Sequence, residues 1–247
     1  MPTHSDFTTV ELQASVFTAG INFRTAKALP ALLGAWPQRF TNVVHASDLP
    51  PNAPPVFPHV IVQSGDSRYK AQAGPARLDL FWLRQAYDDV LNLHEHLDWC
   101  CKVIAGYLEA MQGSSGRLGC IMNRLAVDPN PAATLARHFF RDDLVREGAP
   151  IERPSDFEVG LAKQYNLKNS FAVNSWARFK SVVVFGPALG TGRAQGRPGM
   201  LAQQDINTRE ETTDLRFTPD QISRFFDTMP EEFDEIMRLY FPRETER

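Results

Sequence analysis

The sequence predicts an α+β fold in which antiparallel β-sheets are covered on one face by long amphipathic helices. Residues 8–24 alternate between apolar and polar positions, as a half-buried strand does. Residues 85–112 and 218–240 place apolar side chains three or four positions apart, which indicates helices that bury one stripe. The order of strand, short helix, strands and long helix occurs twice, so we predict two pseudo-repeated halves.

In the first half, the strand at 8–24 leads into a short apolar helix over 28–36, which Pro37 ends. Residues 48–58 contain a cluster of prolines. Because proline lacks the amide donor and has a fixed φ, we expect an extended loop there. The segment 59–74 then predicts two strands joined by a Ser-Gly-Asp-Ser turn.

A third strand is predicted over 77–83. Its alternation places three apolar side chains on the face that the next helix should cover: Leu78, Leu80 and Trp82. Arg77 and Asp79 fall on the opposite face, where we expect them to meet solvent or a partner.

The clearest helix is predicted over 85–112, and the Gly-Ser-Ser-Gly segment at 113–116 ends it. One stripe of this helix should be buried, made of Val90, Leu93, Leu97, Cys100, Ile104, Tyr107 and Met111.

The second half repeats this order. Strands are predicted over 117–127, 156–167, 170–186 and 200–207, with a short helix over 131–144.

The last helix has a clear start, since Thr218 is a cap, Pro219 suits the first helical position and Gln221 completes a capping box. Pro230 predicts a kink or a division into two short helices.

The halves are residues 1–112 and 113–247, and we expect them to form one compact unit. Apolar residues make up 43% of the chain, which is enough for a core without a metal or a disulfide. The net charge of −3 argues against a nucleic-acid partner, and no apolar run is long enough for a bilayer. Three cysteines and no visible signal peptide predict a cytoplasmic protein.

Three motifs stand out: Tyr69, Gln72, Arg77, Leu78 and Trp82; Arg117-Leu118-Gly119; and Asp205-Ile206. With them, most of the chain resembles a sporadically distributed, uncharacterised bacterial protein family of about this length. The chain departs from the family's usual motifs at two places. Met122-Asn123-Arg124 keeps only half of the motif that usually follows the midway strand, and Asn207 stands where the family has a second aspartate. The resemblance implies this fold and brings no assigned catalytic residues.

His94, Asp98 and Cys101 are the most suggestive candidates for metal ligands, because they lie near one another on one helix. They also flank the buried stripe, and a structural zinc site needs four ligands. We therefore expect a structural role and no metal or other cofactor. His96 is predicted to lie on the far side of the helix.

The glycine-rich segment 186–199 carries Arg193 and Arg197. It has neither the P-loop pattern nor the dinucleotide-binding pattern, so we predict a mobile hairpin loop whose arginines contact a partner. No nucleophile motif is present, and we assign no catalytic residues.

The sequence thus favours a non-enzymatic protein-interaction module, with Arg77, Asp79, Arg193 and Arg197 as its weak binding candidates. The partner would be another protein, with a second copy of the chain as one candidate, and neither a membrane nor nucleic acid. The family's sporadic distribution suits a bacterial accessory system of the phage-defence or toxin–antitoxin type. The alternative is a small-ligand-binding protein or an enzyme that uses the open face of a curved sheet, with Arg77 and Asp79 reaching into it.

Overall fold

The computed structural model describes residues 1–19, 21–50, 54, 57–185, 196–209 and 217–243. Its first half contains β1 (Thr8–Ala19), α1 (Thr25–Ala35), β2 (Asn42–Ala46), β3 (Val60–Gln63), β4 (Tyr69–Ala73), β5 (Arg77–Leu83) and α2 (Leu93–Met111). Its second half contains β6 (Ser114–Val127), α3 (Pro131–Phe139), α4 (Asp142–Val145), β7 (Glu158–Leu167), β8 (Phe171–Val184), β9 (Arg197–Thr208) and α5 (Pro219–Tyr240).

The nine described strands form one antiparallel sheet in the order β2-β3-β4-β5-β1-β6-β9-β8-β7. In each half the later strands pair with one another in chain order, and the last of them pairs with the first strand of that half. These pairs are β1 with β5 and β6 with β9. The two first strands pair with each other at the centre of the sheet. The α+β fold with two similar halves is therefore confirmed, and the halves share one continuous sheet.

The helices cover one face of this sheet, and the apolar rows of the central strands lie beneath them. In β1, Leu12, Ala14 and Val16 are fully buried. They stand opposite the buried apolar residues of β5 and β6: Leu78, Leu80, Trp82, Leu118, Cys120 and Met122. Removing this apolar surface from water is the main stabilising contribution to the fold.

The two long helices bury the predicted stripes and contact each other. Five residues of the predicted α2 stripe are buried: Leu97, Cys100, Ile104, Tyr107 and Met111. In α5 the buried residues include Ile222, Phe226, Met229 and Phe233. None of the described helices combines the length and the apolar character that crossing a bilayer requires.

The start of α2 was predicted wrongly, because the helix begins at Leu93 and Val90 is 89% exposed. The preceding segment is held as a turn, since the Asp89 carboxylate accepts hydrogen bonds from the backbone N–H groups of Gln85 and Ala86. The Asn92 side chain then caps the helix.

The capping box of α5 is confirmed, with Thr218 and Gln221 bonded reciprocally and Pro219 in the first turn. Of the two outcomes predicted at Pro230, a kink or a division, the division is wrong, since α5 runs as one helix from Pro219 to Tyr240. Several further elements differ from the prediction: α1 begins at Thr25, the helix predicted over 131–144 is divided into α3 and α4, β9 begins at Arg197, and β2 was not predicted. The first strand ends at Ala19, and Ser114 already belongs to β6.

Candidate functional site: the uncovered face of the sheet

Opposite the helices, the sheet presents polar side chains, and no described element covers them. We call this surface the open face. Strand pairing arranges its side chains in rows that run across the sheet. Its central members are Glu11, Gln13, Ser15, Phe17, Lys70, Gln72, Arg77, Asp79, Phe81, Arg117, Asn123, Trp176, Arg178, Gln203, Asp205 and Asn207.

Asp79 lies at the centre of the open face and accepts hydrogen bonds from three side chains. Ser15 Oγ donates at 2.6 Å, Gln13 Nε2 at 2.9 Å and Arg77 Nε at 2.7 Å. Two of these donors belong to β1, which pairs with β5 in antiparallel register. The buried carboxylate therefore fixes the positions of Gln13 and Arg77, which are more exposed.

A second network crosses four neighbouring strands. Arg178 in β8 donates to Gln203 in β9 at 3.0 Å, Gln203 donates to Asn123 in β6 at 3.1 Å, and Asn123 donates to Glu11 in β1 at 3.0 Å. Each side chain restrains the next, so this row presents a fixed pattern of donors and acceptors.

Aromatic rings on the open face are paired with cations. Phe17 lies between two guanidinium groups, with Arg77 at 5.6 Å and Arg117 at 5.0 Å from the ring centroid. The Lys70 ammonium lies 4.2 Å from the ring centre of Phe81.

A further pair lies on β8, where Arg178 is 5.0 Å from the ring of Trp176. Trp176 is 38% exposed, and so offers a large apolar surface within a polar region. Contacts of this kind hold the cations at fixed positions over the sheet.

The open face carries charges of both signs. Its central cations are Lys70, Arg77, Arg117 and Arg178, and its central anions are Glu11, Asp79 and Asp205. Arg77 and Asp79 form an ion pair, and Asp205 accepts a hydrogen bond from Asn207. Further along the strands, Lys180 and Arg197 lie on the same face together with Glu158, so cations outnumber anions there.

The predicted site residues do not form one site. Arg77 and Asp79 lie on the open face, as their alternation indicated, but Asp79 is only 3% exposed, so the expectation that it meets solvent was wrong. The side chains of β1 cover it.

The two arginines predicted in the glycine-rich segment have different outcomes. Arg193 and the rest of 186–195 lie outside the described residues. Arg197 is exposed at the start of β9, opposite Val184, at the other end of the strands from Arg77.

The predicted metal-ligand candidates on α2 do not converge on one another as a ligand set among the described residues. Asp98 pairs with Lys102 at 2.7 Å. Burial, with the charges of Asp227 and Asp98, raises the pKa of Cys101 to about 12, so the thiolate form is disfavoured. No group of three metal-ligating side chains is present among the described residues.

His96 lies inside the fold and not on the far side of its helix, and its ring stacks with Tyr69. Burial, together with the nearby charge of Arg39, lowers the pKa of His96 to about 3. The Cys100 sulfur lies 3.5 Å from its Nε2, but burial raises the pKa of Cys100. A neutral imidazole beside a protonated thiol has the character of core packing.

The row from Glu11 to Arg178 was missed by the sequence analysis. Alternation within each strand sets the face of each residue, but the row exists only because β1, β6, β9 and β8 are neighbours in a particular register. Local patterns carry no signal for that register.

Four clefts of about 510–640 Å³ lie away from the centre of the open face. Two are next to α3, one is near the N-terminal residues, and one lies between the start of α2 and the middle of α5.

No family model matches the chain, and no curated protein matches it. Among solved structures, the chain is similar to a rolling-circle replication initiator protein from Geobacillus stearothermophilus, at 9% identity and a TM-score of 0.32. The match covers 95% of this chain and 84% of that protein. A similarity this low supports no statement about function.

Proposed function

We propose that the protein is a non-enzymatic binding module that recognises another protein through the open face of its sheet. The observation that carries the proposal is the pair of hydrogen-bond networks around Asp79 and along the row from Glu11 to Arg178. They fix polar groups in place before binding, which lowers the entropy lost when a partner docks.

The composition of the face favours a protein partner. Reversible protein interfaces are about as polar as the rest of a protein surface, and they are enriched in aromatic residues and arginine. Phe17 between Arg77 and Arg117, and Trp176 beside Arg178, match that composition. Nucleic acid would be bound mainly by unpaired cations, whereas Arg77 pairs with Asp79 and Arg178 donates to Gln203.

The cellular setting belongs to the same proposal. We place the protein in the bacterial cytoplasm, in agreement with its three free cysteines, and in an accessory system of the phage-defence or toxin–antitoxin type. The resemblance stated above is the only support for that type of system.

Site-specific photo-crosslinking in cells that carry the native gene tests the proposal. A photoreactive amino acid is placed at Gln72 or Trp176 on the open face, with Glu109 on the exposed surface of α2 as the matched control. We expect protease-sensitive adducts from the two open-face positions and none from position 109.

Two results would contradict the proposal. Equal amounts of adduct from all three positions would show that no partner binds preferentially at the open face. Nuclease-sensitive adducts from Gln72 and Trp176 would identify the partner as a nucleic acid.

A further inference from the structure

A cleft of about 630 Å³ lies on the helix side of the sheet, between the start of α2 and the middle of α5. Leu93 and His94 line it from the first turn of α2, and Pro230 lies across from them on α5. Arg124 of β6 lines it as well. This cleft shares no residue with the open face, so it is independent of the proposed function.

Arg124 is the unusual residue of this cleft. Its side chain belongs to the helix-covered face of β6, and the residue is only 8% exposed. A guanidinium has five N–H donors. Among the described residues, its one hydrogen-bond acceptor is the carbonyl oxygen of Phe233, at a long 3.4 Å.

Arg124 has no ion pair among the described residues, although the charge of Asp234 acts on it. Asp234 is already engaged by His4 at 2.7 Å, by Arg243 at 3.0 Å and by Arg238 at 3.2 Å. Burial lowers the pKa of Arg124 to about 10, which still leaves it charged at neutral pH. A buried cation with unfilled donors beside a cleft is a binding position for a carboxylate or a phosphate.

The rest of the lining distinguishes between these two anions. Glu231, Asp234 and Glu235 also line the cleft. Glu231 pairs with Lys168 at 3.2 Å, whereas Glu235 has no ion pair among the described residues. Arg238 lines the cleft as well and pairs with Asp234 at 3.2 Å, so Glu235 is the lining carboxylate left for the cation of a ligand. A phosphate has no group to pair with Glu235, but a ligand that carries an ammonium next to its carboxylate would satisfy both Arg124 and Glu235.

We propose that this cleft binds a free α-amino acid as its zwitterion. Arg124 pairs with the α-carboxylate, and Glu235 receives the α-ammonium. The backbone N–H groups of Leu93 and His94 add positive potential near the carboxylate, whereas the Glu95 N–H already donates to the Asn92 side chain. Leu93 and Pro230 offer an apolar wall to the ligand's side chain.

Calorimetric titration of the full chain with a panel of L-amino acids, and with acetate and inorganic phosphate as comparison ligands, tests the proposal. We expect saturable binding of one or more amino acids, at least ten-fold tighter than acetate or phosphate. Amide shifts of Leu93 and His94, and the side-chain Nε–H signal of Arg124, should move on titration.

Two variants separate a ligand site from a structural role. Arg124→Met keeps an unbranched apolar stem in the buried position but removes the guanidinium, and it should abolish binding. Glu235→Gln changes a residue at the cleft rim, so its fold is expected to be retained. It should weaken amino-acid binding at least ten-fold and leave the weak affinity for acetate unchanged.

Three results would overturn the proposal. The first is no binding of any amino acid, and the second is phosphate binding tighter than every amino acid. The third is a Glu235→Gln variant that has a native amide spectrum and binds amino acids with unchanged affinity.

Discussion

Asp79 demonstrates that a charged residue on an uncovered sheet face can belong to the stable interior of a protein. It is 3% exposed and accepts hydrogen bonds from Ser15, Gln13 and Arg77. Replacing it with alanine leaves the two β1 donors without their acceptor. Because a buried donor without a partner costs about 1–3 kcal/mol, Asp79→Ala should lower the free energy of unfolding by that amount.

Arg77→Ala is the comparison variant, measured by the same urea denaturation. It removes the cation beside the buried carboxylate but keeps both β1 donors on Asp79, so its loss of stability should be smaller than that of Asp79→Ala. An Asp79→Ala variant as stable as the wild type would show that the Asp79 network contributes nothing to the fold.

His96 should make the stability depend on pH. Its pKa is about 3 in the folded protein against an ordinary value of 6.5, so folding favours the neutral ring. The contribution is complete above pH 6.5 and is lost as the pH falls towards 3, because the unfolded chain takes up the proton first. Between pH 6.5 and pH 5 this loss amounts to about 2 kcal/mol.

His96→Phe should remove this part of the pH dependence, since phenylalanine does not titrate and suits the aromatic surroundings of Tyr69 and Trp99. His94→Phe, at an exposed position on the same helix, should leave it unchanged. Denaturation curves for the two variants at both pH values provide the comparison. The same slope for His96→Phe and the wild type would contradict the prediction.

At the scale of single elements, α2 allows a direct test of which residues its buried stripe contains. Ile104 is fully buried, whereas Val90, which the spacing also assigned to the stripe, is 89% exposed and lies before the helix. Ile104→Ala should cost about 2–5 kcal/mol, because it leaves a cavity in a packed core. Val90→Ala should change the stability by less than about 0.5 kcal/mol. If both variants lost a similar free energy of unfolding, Val90 would be part of the buried stripe and α2 would begin before Leu93.

The sequence predicts some features of the fold and not others, depending on whether the contacts that fix them are local. The start of α5 could be predicted, because Thr218, Pro219 and Gln221 act within one turn. The start of α2 could not be, since the carboxylate of Asp89 fixes the turn before it and the Arg68 guanidinium binds that carboxylate at 2.7 Å. The face of Asp79 followed from alternation, but its burial depends on β1, which is distant in sequence.

At the scale of the whole molecule, the two halves should unfold as one unit. Their first strands, β1 and β6, pair along almost their full length at the centre of the sheet. The long helices of the two halves, α2 and α5, also pack against each other. Opening either half alone would expose both the central strand edge and the helix contact, so we expect a single cooperative transition.

Native-state hydrogen exchange with increasing denaturant tests this expectation, because it measures the opening free energy of each amide separately. The slowest amides of β5, in the first half, and of β8, in the second, should converge on one opening free energy. The edge strand β2 should exchange faster, because its residues are mostly exposed and its outer side has no neighbouring strand among the described residues. Two distinct free energies for β5 and β8 would mean that the halves open separately, and that the pairing of β1 with β6 is weaker than its length indicates.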